Sequence, residues 1–190
     1  MDVVLRWAYE AAAETQRGRL PRDVAARRGL TDGAASAYAL LSDVLGHVPT
    51  LQRTCLVCGG PHGKPRVDGG PHVSLSYAGG LVAVAVCAVA PVGVDVEVLA
   101  ATAFDGFADV ALAPDEVDGP PAHRARLWVR KEAALKANGR GLSVDPRTVD
   151  VRRQPVVLPG GVVQVSDIAV PDGWAGAVAV VGTVPATVLP

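Results

Sequence analysis

The chain of 190 residues carries 18 basic and 19 acidic side chains, a formal net charge of -1, and 49% apolar residues. That length suits one large domain or two small ones packed together, with enough chain to bury a core. A charge so near zero argues against non-specific binding to nucleic acid or acidic membranes, which needs a strong basic excess. No apolar run approaches the ~20 residues that span a bilayer. Charges at Asp2, Arg6, Glu10 and Glu14 leave no secretion leader legible, so a cytoplasmic protein is expected. The basic residues are uneven: 15 are arginine, and the three lysines are Lys64, Lys131 and Lys136. Glutamate stands only at positions 10, 14, 97, 116 and 132. A compact ammonium and a planar guanidinium are not interchangeable, so the lysines kept in such a chain either mark sites where arginine does not serve or stand there by chance.

In chain order, Val3, Val4, Leu5 and Trp7 read as a strand, although Ala11 to Glu14 would extend a helix. Residues 17–21 read as a loop, and Pro21 can open a short helix ending near Gly29. Ala34 to Leu45 reads as an amphipathic helix, with Ala37, Leu40, Leu41, Val44 and Leu45 on one stripe and Gly46 as its stop. Cys55 to Pro71 is rich in Gly and Pro and reads as a long loop. Three apolar segments follow, 72–76, 81–89 and 92–99, broken by Gly79-Gly80 and Pro91, and predict an antiparallel meander. A helical stretch over 104–112, a turn at Pro114-Asp115-Glu116 and a long helix over 122–138 come next, the last ended by Gly139 and Gly141. Strands are predicted over 149–153, 162–170 and 174–181. Helix followed by three strands thus appears twice, which suggests two similar half-folds.

Two constellations carry the chemistry. In Gly93-Val94-Asp95-Val96-Glu97, residues two apart share a strand face, so Asp95 and Glu97 project together while the valines pack behind. A solvated acidic face is the plain reading; paired carboxylates also suit a hard cation such as Mg²⁺. In Trp128-Val129-Arg130-Lys131-Glu132-Ala133-Ala134-Leu135-Lys136, helical spacing sets Trp128, Glu132, Leu135 and Lys136 along one face. A surface Glu132–Lys136 pair is the plain reading there. Brought beside Asp95 and Glu97, the same two groups would complete a metal-assisted phosphoryl-transfer site. The exit Gly139-Arg140-Gly141-Leu142 lets backbone approach a ligand closely.

The ordered set Gly-Val-Asp-Val-Glu, then Trp-x-x-Lys-Glu-Ala-x-x-Lys-x-x-Gly-x-Gly-Leu, resembles the 4'-phosphopantetheinyl transferases. The upstream Gly63-Lys64-Pro65 and the length point to the Sfp-type, two-lobed class, and the resemblance covers roughly residues 34–174. It implies an α+β fold of two similar lobes related by a pseudo-two-fold, each a small antiparallel sheet packed on a long helix, with the active site in the cleft between them. The lobes would be residues 1–91 and 92–190, the second carrying the metal-binding carboxylates. It implies Mg²⁺-dependent (or Mn²⁺-dependent) transfer of the phosphopantetheine arm of coenzyme A to a serine of an apo acyl or peptidyl carrier protein, releasing adenosine 3',5'-bisphosphate. Such carriers serve fatty-acid, polyketide and nonribosomal-peptide synthesis, and a monomer is expected.

By the same resemblance Asp95, Glu97 and Glu132 look like the metal ligands, and Lys136 looks like the group that neutralises or protonates the leaving phosphate. Lys64 looks like a phosphate or adenine-side contact. Glu116 resembles an acidic position between the motifs and competes with Glu132 as base for the carrier serine. The family usually carries Ser-His where this chain has Ser76-Tyr77; Ser76 keeps the hydroxyl, and Tyr77 would donate a hydrogen bond to phosphate or stack near the base. That departure leaves a second reading open, a weak or inactive homologue that binds coenzyme A or a carrier protein. The basic residue usual early in the helix over 34–45 is also missing, and Arg22, Arg27 and Arg28 are the nearest substitutes for gripping the 3'-phosphate. Arg124, Arg126 and Arg130 are candidates for meeting an acidic carrier.

Cys55-Leu-Val-Cys58-x3-His62, with His72 beyond, has spacing that can chelate a structural zinc; a redox pair and ordinary loop residues are the other readings, the last the plainest. Cys87 reads as a small buried hydrophobe. His123 reads as solvated, and Trp7 and Trp174 as packing residues.

Overall fold

A computed structural model describes residues 1–9, 32–55 and 58–189. The helical extension over 11–14, the loop and short helix over 17–29, and Arg22, Arg27 and Arg28 lie outside the described residues.

The protein is α+β, with two sheets and a few helices. The first sheet combines β1 (Asp2–Tyr9), β2 (Leu51–Arg53), β3 (Pro65–Val67), β4 (His72–Ala78), β5 (Leu81–Cys87) and β10 (Thr187–Leu189) in the order β10-β1-β5-β4-β3-β2. It is antiparallel apart from the β1–β10 pair, so the last strand of the chain closes the edge beside the first. The second sheet is antiparallel, β6 (Val92–Val98), β9 (Trp174–Val181), β8 (Gly161–Asp167) and β7 (Val156–Leu158) in that order. The α-helices among the described residues are α1 (Asp32–Leu45), α2 (Phe107–Ala111) and α3 (Pro121–Asn138).

Three apolar layers hold these elements together. Ala37, Leu40 and Leu41 of α1 pack on Val73, Val82, Val84 and Val86 of the first sheet. The other face of β5 (Leu81, Ala83, Ala85 and Cys87) packs on Val92, Val94 and Val96 of β6 and Val178 and Val180 of β9. Leu127, Ala133, Ala134 and Leu135 of α3 pack on Val163, Val165, Ala177 and Ala179 of the second sheet. The run Leu-Val-Ala-Val-Ala-Val-Cys in β5 has no polar face because both of its faces are covered. Cys87 is buried there, as its sequence suggests.

The expected meander stops at β5. After Pro91 the chain crosses to the second sheet, where β6 pairs with β9. Two serines of β4 join the sheets instead: Ser74 Oγ accepts from the Val94 N–H at 3.0 Å and Ser76 Oγ from the Val96 N–H at 3.3 Å. Alternating apolar residues look the same whichever strand they pair with, so the sequence pattern does not distinguish the two arrangements. Two further differences have similar causes. The expected loop over 55–71 contains β3, a three-residue strand too short to show periodicity. Residues 149–153 form no strand. Val149 and Val151 alternate because both enter the α3 core, while the Val151 N–H donates to Glu116 Oε1 at 3.2 Å. The helical stretch expected over 104–112 narrows to α2, preceded by a 3₁₀ turn at Leu99–Thr102.

One glycine sets the position of α3. A Cβ on Gly93 would lie 2.0 Å from the Ala133 carbonyl oxygen and 2.5 Å from the Ala137 nitrogen, so the α3 backbone rests directly on β6. Gly93→Val should therefore destabilise the protein by roughly 1–3 kcal/mol or more through overpacking. Urea unfolding with an unchanged midpoint would contradict this close approach.

Candidate active site

The β6–α3 contact brings the two sequence constellations together. Because Val92, Val94 and Val96 face the sheet–sheet core, the intervening Gly93, Asp95 and Glu97 share the other face of β6, the one Gly93 lays against α3. Asp95, Glu97, Glu132, Lys136, Ser76, Tyr77 and Trp128 line one cleft of about 850 Å³, with Ala37 and Tyr38 of α1 on its far wall. Phe107 packs edge-on against Trp128 at 6.5 Å and steadies the α3 face that carries Glu132.

Lys136 is the hub. Its Nζ donates to Asp95 Oδ1 at 2.5 Å, to Ser76 Oγ at 3.2 Å and to the Val94 carbonyl at 3.3 Å. Ser76 in turn donates to Asp95 Oδ1 at 2.8 Å. Glu97 Oε1 accepts from the Val98 N–H at 2.8 Å. Burial, then the negative charges of Asp95 and Glu97, push the Glu132 carboxyl up to about 7, against the pull of the Lys136 ammonium. Three carboxyl groups face the cleft with two cations, Lys136 and Arg53, and their all-oxygen donors suit Mg²⁺ in kind. Their oxygens are not drawn together: Asp95 is held by Lys136 and Ser76, and Glu97 by the backbone. Among the described residues, the only three potential ligands with all donor atoms within 4.8 Å of one another are Cys55, Cys58 and His62.

A second chamber of about 510 Å³ adjoins the first, sharing Arg53, Leu75 and Lys136 with it. Its wall adds Gly63, Lys64, Pro65 and the Gly139–Ser143 exit of α3. Gly139 takes a left-handed φ of 82° and its N–H bonds back to Leu135 and Lys136, so the helix ends at the chamber wall. Lys64 closes the joint. Its Nζ donates to the Val92 carbonyl at 2.5 Å and to the Lys136 carbonyl at 2.6 Å, tying β6 to the last turn of α3. Burial, with the charges of Lys136 and Arg66, lowers the Lys64 amine to about 7.

Glu116 is not brought to this cleft. It is buried against Lys131 at 2.5 Å, with side chains 0% and 1% exposed, and it accepts from the Ala113 and Val151 N–H groups. Lys131 also donates to the Ala111 and Pro146 carbonyls at 2.7 and 2.9 Å. Burial draws the Lys131 amine below its ordinary range while Glu116 opposes that pull. Tyr77 lies over the start of α1, where a Cβ on Gly33 would be 2.5 Å from its ring. Of the arginines suggested for a carrier, Arg124 pairs with Asp118, and Arg126 and Arg130 share Asp167. His123 is exposed, with Nε2 2.9 Å from the Val117 carbonyl. Arg53 borders both chambers but stands out in no motif; only its place on the edge strand β2, beside the loop, puts it there.

Residues 91–162 match the family model of the 4'-phosphopantetheinyl transferase superfamily. That stretch runs from the start of β6 into β8 and contains Asp95, Glu97, Glu116, Glu132 and Lys136, so the resemblance carried by the motifs is borne out there. The match supports a transferase and phosphopantetheinyl transfer as its general activity. No curated protein matches the chain significantly. No helix among the described residues is long and apolar enough to cross a membrane.

Removing Glu116 leaves the Lys131 ammonium buried without its anion. Glu116→Ala should cost about 3–5 kcal/mol of stability, and Glu116→Leu combined with Lys131→Met should recover only part of it, because the backbone groups that the pair satisfies stay unpaired. Denaturant titration of both variants checks this; a stable, inactive Glu116→Ala would instead mark Glu116 as part of the chemistry. For Lys64 the folded pKa lies below its unfolded value of 10.5, so the unfolded chain binds more protons between about pH 7 and 10.5. The stability of the protein relative to a Lys64→Met variant should therefore rise across that window and level off below it. A flat difference from pH 7 to 10 would show the amine to be unshifted.

Proposed function

We propose that this protein transfers the 4'-phosphopantetheine arm of coenzyme A to a serine hydroxyl of an apo acyl or peptidyl carrier protein and releases adenosine 3',5'-bisphosphate. The observation that carries the reading is the convergence of Asp95, Glu97, Glu132 and Lys136 on one cleft wall, in the segment that matches the transferase superfamily. The cleft would run between residues 1–91 and 92–190 as the two halves of the protein.

Asp95, Glu97 and Glu132 would hold the divalent cation, Mg²⁺ by the hardness of its donors, once Asp95 and Glu97 turn from their present partners. When bound, that ion supplies positive charge against the pyrophosphate of coenzyme A. Lys136, already positioned by Asp95 and Ser76, places an ammonium where the departing phosphate gains negative charge. Ser76 orients Asp95 and Lys136 together through one hydroxyl. Glu132 is the carboxylate in the cleft that can orient the incoming serine hydroxyl, since Glu116 is committed to Lys131. In the reaction the serine oxygen bonds to the phosphorus on the pantetheine side of the pyrophosphate, and the bond from that phosphorus to the bridging oxygen breaks. The nucleotide end would lie in the second chamber, beside Lys64 and Arg140, while Tyr77 lines the first cleft, where its hydroxyl would face the phosphates.

Intact-mass spectrometry of several apo carrier proteins incubated with the protein, coenzyme A and Mg²⁺ should show the mass gain of one phosphopantetheine arm. Glu97→Ala and Lys136→Ala should lower the rate by about 10²-fold or more while leaving the fold intact by circular dichroism, as expected when a charge aimed at the transition state is lost. No mass gain on any carrier would sink the transferase reading, and unaltered rates in both variants would move the chemistry elsewhere.

A further inference from the structure

The loop between β2 and β3 holds a second group of ligand atoms that the proposed transfer does not use. Cys55 Sγ, Cys58 Sγ and a ring nitrogen of His62 all lie within 4.8 Å of one another, and Cys58 Sγ is 3.0 Å from His62 Nε2. A tetrahedral zinc site with bonds of ~2.3 Å to sulfur and ~2.0 Å to nitrogen sets its ligand atoms roughly 3.3–3.8 Å apart, so small side-chain rotations bring these three into register.

Backbone hydrogen bonds and a close glycine approach shape the loop. The Cys55 N–H donates to the Gly60 carbonyl at 2.8 Å, and the Gly59 N–H donates to the Cys55 carbonyl at 2.9 Å, which holds Gly59 and Gly60 against Cys55. The loop then returns against its own base. A Cβ on Gly63 would fall 2.1 Å from the Thr54 carbonyl oxygen and 2.6 Å from the Cys55 nitrogen, a closeness that only glycine permits. Cys58 and His62 are thus presented from one tight turn, and Cys55 from its foot.

We propose that Cys55, Cys58 and His62 form a binding site for one zinc-class divalent ion, distinct from the carboxylate site on β6 and α3. The two donor sets differ in softness: thiolates and imidazole select zinc, while carboxylate oxygens suit Mg²⁺. His72 is not the fourth ligand, because it lies outside the cluster, in a separate cavity of about 280 Å³ with Lys64, Arg66 and Pro91. The protein supplies three ligands, and the fourth position falls to water or to a group in the second chamber, whose wall includes all three residues. The ion staples the loop one residue before Gly63-Lys64, and so fixes the strand that delivers Lys64 to the joint between β6 and α3. Two thiols lose their protons on binding, so uptake releases acid.

Metal analysis of the full chain, purified under reducing conditions and equilibrated with zinc, should give about one equivalent, in keeping with a single three-ligand cluster. Co²⁺ in its place should give intense visible absorption with sulfur-to-cobalt charge transfer. Cys58→Ser and His62→Ala should each lose the bound ion, and Cys87→Ser should keep it. Blocking thiols on the unaltered protein in the presence of a metallochromic dye should release the ion, a readout that needs no substitution. Failure of the unaltered protein to take up zinc, retention of full occupancy in both Cys58→Ser and His62→Ala, or recovery of a Cys55–Cys58 disulfide from reducing cells would overturn the proposal. None of these measurements involves coenzyme A, so their outcome is independent of the transferase reading.

Discussion

The position of α3 on β6 is the constraint on which the site depends. A helix normally stands off a sheet by the depth of its side chains; at Gly93 that spacer is absent and backbone meets backbone. Glu132 and Lys136 follow from α3, Asp95 and Glu97 from β6, so the distance between the elements sets the distance between the charged groups. The same approach explains why Lys136 reaches a strand carbonyl, Val94 O, and a strand carboxylate with one ammonium. Polar groups held this close in a half-buried joint are stabilised by having fixed partners, and they become expensive to leave without them.

A second polar centre holds the far side of α3. Glu116 and Lys131 are buried together and take up backbone groups from four places: the C-terminal end of α2, the turn after it, the 3₁₀ turn near Pro146 and the segment at Val151. None of those stretches has a strand partner to satisfy its backbone. The ion pair substitutes for a ladder and lets irregular chain pack over the helix. Desolvating both charges is costly, and the backbone hydrogen bonds they collect are what offset it. Lys131 and Glu132 are adjacent in sequence yet face opposite environments, the first into this centre and the second into the cleft.

Much of this was legible in the residues, and the limits have physical causes. The eight-residue β9 and the unbroken apolar β5 are visible because every inward position has an apolar side chain, and the end of α3 because Gly139 is needed for a left-handed cap. Asp95, Glu97, Glu132 and Lys136 were readable as a set because strand and helix periodicities place each pair on one face. The partner of β6 was not, since the chain breaks at Pro91 and the serine hydroxyls that join β4 to β6 accept from backbone N–H groups 20 residues away. Glu116 looked catalytic because a carboxylate between two motifs carries no mark of burial. What commits it is Lys131, 15 residues further on and brought in only by the packing of α3. Val149 and Val151 imitated a strand because alternation reports which residues are buried, not what the backbone bonds to.

The scarcity of lysine gains its meaning from the same geometry. Each of the three ammoniums donates to backbone carbonyls: Lys64 to Val92 and Lys136, Lys131 to Ala111 and Pro146, and Lys136 to Val94. In every case the amine sits between packed elements and gathers acceptors from different directions. An ammonium can do this because its donors radiate from one atom; a guanidinium spreads five donors over a rigid plane. The arginines behave accordingly. Arg124, Arg126, Arg130, Arg147 and Arg152 each pair with an aspartate near the surface, where the planar fork has room, and Arg124, Arg147 and Arg152 reach backbone carbonyls from there as well. In a chain that otherwise prefers arginine, lysine survives where α3 must be joined to what surrounds it: twice on the helix itself, and once in the loop that reaches the helix end.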